Sequence, residues 1–225
     1  MKNIAIIGGS RGIGAEILKV QFQHNSCVNI SRNAPSLNHT NITHIGLDIL
    51  TDELPDLDTL DSLIYCPGSI TLKPISTLKE QHFLNDFQIN VMGAVKAIKK
   101  YLPLLKKGNN PSILLFSTVA VSQGMPFHAS IAAAKGAIEG LTKSLAAELA
   151  PTVRVNCIAP TITDTDLAAN ILKNEKMKDN AINRHPLKKI LQASEVAALA
   201  NFLIEEHAMT GQILGIDAGL SSLKI

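Results

Sequence analysis

A short apolar run that empties into a glycine-rich turn, Ile4-Ala5-Ile6-Ile7-Gly8-Gly9-Ser10-Arg11-Gly12-Ile13-Gly14, constrains this chain more than any other stretch. Apolar residues without polar alternation predict a strand buried on both faces, as strands of a parallel sheet are. Beyond Gly14, the residues Ala15, Ile17, Leu18, Val20 and Gln21 carry a helix-like spacing. Glycines let the backbone turn sharply, come close to a ligand and pack the helix on its strand. The free N–H groups of the helix's first turn then face an anion. A strand, a glycine turn and a helix in this order form a seat for a dinucleotide pyrophosphate. The predicted cofactor contacts here are Gly8, Ser10, Arg11, Gly12, Ile13 and Gly14.

Strand and helix patterns alternate along the rest of the chain. Strands are expected at Ile4–Gly8, Cys27–Ser31, His44–Asp48, Ser62–Cys66, Ser112–Ser117, Arg154–Ala159 and Gln212–Asp217. The longest helix patterns cover Lys79–Lys106 and Ala129–Ala150. Such alternation implies an α/β fold, a doubly wound parallel sheet of about seven strands flanked by helices, because parallel neighbours need crossover connections. At 225 residues, without repeat, linker or low-complexity tract, residues 1–225 read as a single domain.

Composition excludes other classes. The 21 basic and 19 acidic residues give a net charge of +2 with no basic block, which argues against nucleic acid as a partner. No apolar stretch approaches the ~20 residues of a membrane span. The apolar start is too short for a signal-peptide core, so a cytoplasmic location is expected. Cys27, Cys66 and Cys157 are scattered without metal-ligand spacing and read as buried thiols. In the long helix patterns, Phe83, Phe87, Val91, Val95, Ile98, Leu102 and Leu105 form one apolar stripe; Ile131, Ala134, Ile138, Leu141, Leu145 and Leu149 form another. Both read as core faces. Any part left exposed would suit a homodimer or homotetramer interface through residues 79–106 and 129–150.

Taken in order, these elements resemble the short-chain dehydrogenase/reductase family along nearly the whole chain, and the resemblance implies its single-domain Rossmann fold. Gly8 to Gly14 is similar to that family's TGxxxGxG turn, with Ile7 in place of Thr. Asp48 stands where the family pairs an acid with the adenine ring. In Tyr65-Cys66-Pro67-Gly68 only Gly68 of the NNAG element is kept. Asn90 matches the structural Asn. The stretch Val155-Asn156-Cys157-Ile158-Ala159-Pro160-Thr161-Ile162 resembles VNxxxPG beside the nicotinamide, with Thr161 for glycine, and places Ile162 at the cofactor. Thr210 to Gly219 resembles the last strand and its turn.

The second strand ends Asn29-Ile30-Ser31-Arg32-Asn33, without the acid that holds a ribose 2′-hydroxyl in NAD-dependent relatives. Arg32 and Arg11 could clamp a 2′-phosphate. NADP(H) is therefore favoured over NAD(H).

The family resemblance also implies a catalytic Asn, Ser, Tyr and Lys, with Tyr four residues before Lys on one helix face. The nearby ammonium lowers the phenol's pKa so that it can exchange the proton accompanying hydride transfer. Lys135 is present, but the position four residues before it holds Ile131, which carries no proton. Thr118 occupies the Ser position, with Ser117 beside it. The catalytic set is thus Asn90, Thr118 and Lys135, without its acid/base. His128, seven residues before Lys135, is the nearby replacement. That spacing resembles the enoyl-carrier-protein reductase branch, where Tyr stands seven before Lys and an apolar residue stands at four.

Two readings follow. One is an NADP(H)-dependent oxidoreductase acting on a small carbonyl, alcohol or activated alkene with atypical or impaired proton transfer, including an enoyl-reductase-like activity that uses His128. The other is a catalytically silent dinucleotide-binding protein serving as sensor, scaffold or oligomer partner. Residues 163–189 correspond to the family's substrate lid, with Leu167, Ile171, Leu172, Met177 and Ile182 suggesting a helical flap with an apolar inner face.

Overall fold

A computed structural model describes residues 1–224. In chain order its elements are β1 (Asn3–Ile7), α1 (Gly12–Gln21), β2 (Ser26–Ser31), β3 (Ile42–Gly46), β4 (Ser62–Tyr65), α2 (Glu80–Phe87), α3 (Gly93–Leu105), β5 (Ser112–Phe116), a short α4 (Ala120–Gln123) and α5 (Ala129–Leu149). Then come β6 (Arg154–Pro160), β7 (Thr163–Asp164), α6 (Glu175–Arg184), β8 (Leu191–Gln192), α7 (Ala193–Glu205) and β9 (Ile213–Ile216). Seven strands form one parallel sheet in the order β3-β2-β1-β4-β5-β6-β9, the doubly wound architecture expected. The strand bounds fall within two residues of the sequence reading.

The unalternating apolar run of β1 has a direct cause. The strand is central, paired with β2 on one side (Ile4↔Cys27, Ile7↔Ile30) and with β4 on the other (Ile4↔Ser62, Ile7↔Tyr65). Ala5 and Ile7 point into the core under α3 and α5, while Ile4 and Ile6 point into the opposite core with Ile17, Leu18 and Val196 from α1 and α7. Both faces of the strand are dry, so neither can carry a polar residue. The strand order reverses between β1 and β4. Ligands of such sheets bind in the crevice at that switch point, beyond the carboxyl ends of the strands.

The helix expected over Lys79–Lys106 is broken. A π-helical turn at Gln88–Met92 separates α2 from α3. The wider turn frees the Ile89 carbonyl, which accepts the Tyr65 phenol at 2.6 Å. Gly93 makes room for that phenol, since a Cβ there would lie 2.0 Å from Tyr65 Oη. Inside the turn, Asn90 Nδ2 donates to the Asp86 carbonyl at 2.7 Å. Apolar periodicity continues through this bulge, so the sequence pattern could not register it. The stripe is also not wholly core: Phe87 is exposed, and Leu84 and Met92, outside the stripe, are exposed near it.

The segment 163–189 returns to the body at both ends. β7 and β8 pair in parallel (Thr163↔Leu191, Asp164↔Gln192), a two-stranded ladder that the sequence did not indicate. Between them lies α6, capped by Asn174, whose side chain accepts from Met177 N at 2.9 Å. No helix among the described residues is long and apolar enough to cross a membrane.

Candidate active site

The cleft begins at the turn after β1. Gly8 has φ of +81° and donates its N–H to Ile30 O at 2.8 Å, which continues the ladder into the turn. Gly9 N donates to the buried Asn29 Oδ1 at 2.9 Å, so a polar side chain of β2 holds the loop from beneath. A Cβ on Gly14 would lie 2.3 Å from Gly8 O, so only glycine lets α1 start this close to the strand. Arg11 occupies the N-cap without a capping side-chain bond, leaving the first-turn N–H groups to face outward. This cradle of backbone donors, closed to any Cβ at its base, fits a pyrophosphate. Ser10 and Ile13 are half-buried around it, and Gly12 (φ +54°) abuts Thr165.

The two predicted arginines each face an aspartate: Arg11 Nη1 lies 3.6 Å from Asp166 Oδ2, and Arg32 Nη1 lies 3.9 Å from Asp48 Oδ2. All four side chains are at least one-third exposed. Pairs of this kind are long and solvent-screened, and a phosphate dianion can displace the partner. Asp48 is additionally held by Leu50 N, which donates to its Oδ1 at 2.9 Å.

Farther along, a cavity of about 540 Å³ opens between the ends of β4, β5 and β6 and the segment 163–189. It brings together Ile13, Gly68, Thr118, His128, Ile131, Lys135 and Ile162 from five separate stretches of the chain. Its outer walls are apolar, with Ile70, Leu72, Phe127, Leu167 and Ile171. Lys135 projects from α5 and donates to Phe116 O at 2.8 Å. Desolvation lowers its pKa from 10.5 to about 8, against the opposing pull of Cys157, Cys66 and Asp86. Thr118 Oγ1 accepts from Ala120 N at 3.3 Å. The hydroxyl of neighbouring Ser117 is committed to Glu139 Oε1 at 2.6 Å. Ile131, one turn before Lys135, is buried and apolar within the same wall.

His128 stands at the N-cap of α5, half-buried at the cavity, and its Nδ1 contacts Pro126 O at 2.7 Å. A carbonyl accepts only, so Nδ1 carries the hydrogen and Nε2 is the nitrogen able to take a proton. Neither tyrosine can stand in. The Tyr65 phenol is locked on Ile89 O, with burial raising its pKa, and the Tyr101 phenol donates to Pro55 O at 3.0 Å.

Asn90 lies behind Gly68 rather than in the cavity wall. Its Nδ2 has two acceptors, Asp86 O and Ser69 Oγ, but its buried Oδ1 has no partner among the described residues. That oxygen and Lys135 Nζ both flank Gly68, at 3.2 and 3.8 Å from where a Cβ on it would sit. An orphaned buried acceptor beside an ammonium marks a place for a bound polar group.

Sequence reasoning missed Asn29 beneath the turn, the Thr161–His185 contact (2.8 Å) that anchors the end of α6, and a buried carboxylate, Asp86, with its hydroxyl partners. Asp86 stands one helical turn before Asn90, but its partners come from the loop after β4 and from α5, so no local pattern exposes them.

A family model described as enoyl-(acyl carrier protein) reductase matches residues 49–221. A 3-oxoacyl-[acyl-carrier-protein] reductase FabG from Thermotoga maritima is 33% identical over 164 residues, covering 72% of this chain and 66% of that protein. Among solved structures, a short chain dehydrogenase family protein from Francisella tularensis superposes with a TM-score of 0.88 at 26% identity, over 99% of this chain and 100% of that one. ElxO with NADP bound superposes with a TM-score of 0.87 at 25% identity, over 99% and 100%.

Proposed function

The chain belongs to the short-chain dehydrogenase/reductase family, and from that premise we propose an NADP(H)-dependent oxidoreductase that acts on a small carbonyl or alcohol without a tyrosine acid/base. The observation that carries this reading is the cavity itself: Lys135 and the Thr118 hydroxyl still face it, although Ile131 lies between them and contributes no proton. A site released from chemistry has no need to keep a desolvated ammonium. When bound, the dinucleotide supplies or accepts the hydride. The glycine turn and the first turn of α1 hold its pyrophosphate, Ile13 and Ile162 flank it, and Lys135 orients its ribose. Arg11 and Arg32 select a 2′-phosphate, in keeping with the missing acid at the end of β2. ElxO, with NADP bound, is a structural neighbour. The Thr118 hydroxyl donates to the substrate oxygen. The apolar outer walls favour a substrate with little polar surface near the reacting carbon.

The Ile131 side chain also favours a second reading, a silent dinucleotide-binding protein, and His128 Nε2 offers a third, enoyl-reductase-like proton delivery. The exposed Leu84, Phe87 and Met92 on the α2 side suit pairing of two copies through α2, α3 and α5. The experiment is NADPH and NADH consumption over a panel of ketones, aldehydes and activated alkenes, with the native chain and with His128→Ala. Turnover with NADPH in the native chain supports the oxidoreductase. NADPH binding without turnover supports the silent reading, and loss of alkene reduction in His128→Ala supports the third.

A further inference from the structure

The cavity wall hides a carboxylate that the reading above does not use. Asp86 is 1% exposed, and among the described residues it forms no salt bridge. Its charge is balanced by hydroxyls instead. Ser69 Oγ donates to Oδ1 at 2.5 Å, Thr71 Oγ1 donates to the same oxygen at 3.3 Å, and Ser130 Oγ donates to Oδ2 at 2.6 Å. A buried carboxylate without a cation in direct contact is costly to keep, and a purely structural role would be met more cheaply by asparagine. Ser69 is the informative member. It lines the cavity next to Gly68, and its Oγ accepts from Asn90 Nδ2 at 3.1 Å while donating to Asp86. One hydroxyl thus joins the cavity wall to a buried proton acceptor.

Resting on the oxidoreductase reading, we propose that Asp86 and Ser69 form the proton relay that replaces a tyrosine at position 131. In alcohol oxidation, the substrate hydroxyl gives its proton to Ser69 Oγ as the Ser69 proton passes to Asp86 Oδ1. The carbinol C–H leaves as hydride to NADP⁺, the oxidant, and the C–O bond becomes a carbonyl. The products are the ketone or aldehyde, NADPH and a neutral Asp86 carboxylic acid. In reduction, the same acid returns its proton through Ser69 to the carbonyl oxygen as NADPH delivers hydride to carbon. Thr71, half-exposed and bonded to the same oxygen, connects Asp86 to solvent for reprotonation. Ser130 fixes the far oxygen, and its hydroxyl also reaches His82 O at 3.1 Å, tying α2 to α5.

The charged groups facing Asp86 are few. Lys135 acts on it from α5. His82, a turn earlier on α2, has its ring engaged by Lys79 N and Lys73 Nζ. Among the described residues, the loop after β4 presents the hydroxyls of Ser69 and Thr71 to it, and Lys73 of that loop contacts His82 instead.

The test uses the full chain, NADP⁺ with an alcohol that the native protein oxidises, and fluorescence titration of NADPH alongside. Ser69→Ala leaves Asp86 two of its three donors and is expected to lower kcat by about 10²-fold, within the range for a lost acid/base. It should change NADPH affinity less than threefold and alter the kcat profile against pH. Asp86→Asn should do the same, and Ser69→Thr should restore much of the rate. Three outcomes overturn the relay: Ser69→Ala with kcat within twofold of native and an unchanged pH profile; loss of NADPH affinity in step with rate; or NADPH binding with no turnover in the native chain. The first leaves the oxidoreductase reading standing. Failure of NADPH to bind overturns both.

Discussion

At the carboxyl end of β1 the cleft is made of backbone, whereas along α5 and the loop after β4 it is made of side chains. The first region is held by constraints that only glycine meets, such as Gly14 packed beneath the Gly8 carbonyl and Gly8 in the left-handed region. A Cβ on Gly14 would collide with the Gly8 carbonyl, so little freedom remains there. The second region is set by side chains: Ile131 is buried in its wall, and a carboxylate with three hydroxyl donors lies behind it. A seat built from main-chain amides is fixed by packing, whereas the proton-transfer groups proposed above are side chains, whose type can change while the fold is kept.

The comparison can be strained from either end. The largest expected effect is Ile131→Tyr in the Ser69→Ala background, which restores the phenol one turn before Lys135 where the proposed relay is broken. Reduction of a carbonyl substrate should rise by about 10²–10⁴-fold over Ser69→Ala alone, the usual contribution of a positioned acid/base, measured as kcat with NADPH. An unchanged rate would mean that position 131 does not address the reacting oxygen. Next, Gly14→Ala places a Cβ within 2.3 Å of the Gly8 carbonyl. NADPH affinity should fall about 10²-fold in a fluorescence titration, since α1 must shift away from its strand and its first-turn N–H groups move with it. Retained affinity would show that the backbone cradle is less constrained than its packing implies.

A smaller effect is expected at the 2′-phosphate. Removing both arginines (Arg11→Ala with Arg32→Ala) should narrow the preference for NADPH over NADH by about tenfold, the scale of one charge-assisted contact. The ratio of the two dissociation constants is the readout. The smallest is a pH effect. Lys135 titrates near 8 in the folded chain, so its ammonium is present below that value and neutral above it. NADPH affinity should therefore weaken a few-fold between pH 7 and 9. The stability contribution has the opposite slope: unfolded lysine keeps its proton up to about 10.5, so between about 8 and 10.5 the unfolded state binds more protons and raising the pH favours the fold. Denaturant midpoints of the native chain and Lys135→Met across that window check the sign.

The fold was legible because β1 announces itself. Four apolar residues in sequence have a physical cause, two dry faces, and the glycines after them have another, the close approach of α1. Side chains that converge from distant elements were partly legible. Thr118, His128, Ile131 and Lys135 stand close together in the cavity, as their spacing on the β5–α5 stretch allows. The break at Gln88–Met92 was not legible, because a π turn inserts without disturbing the apolar stripe and depends on Tyr65, more than twenty residues upstream. Asp86 was invisible for the same reason. On α2 it reads as one more polar residue of an amphipathic helix, and only the packing of α2 on α5 reveals that it is buried.

The most direct test of this account is equilibrium titration of the native chain with NADPH and with NADH, followed by nucleotide fluorescence. Saturable binding of both, tighter for NADPH, is the expected result. Absence of binding by either nucleotide would contradict it, because the seat after β1 would then be a glycine turn that holds nothing.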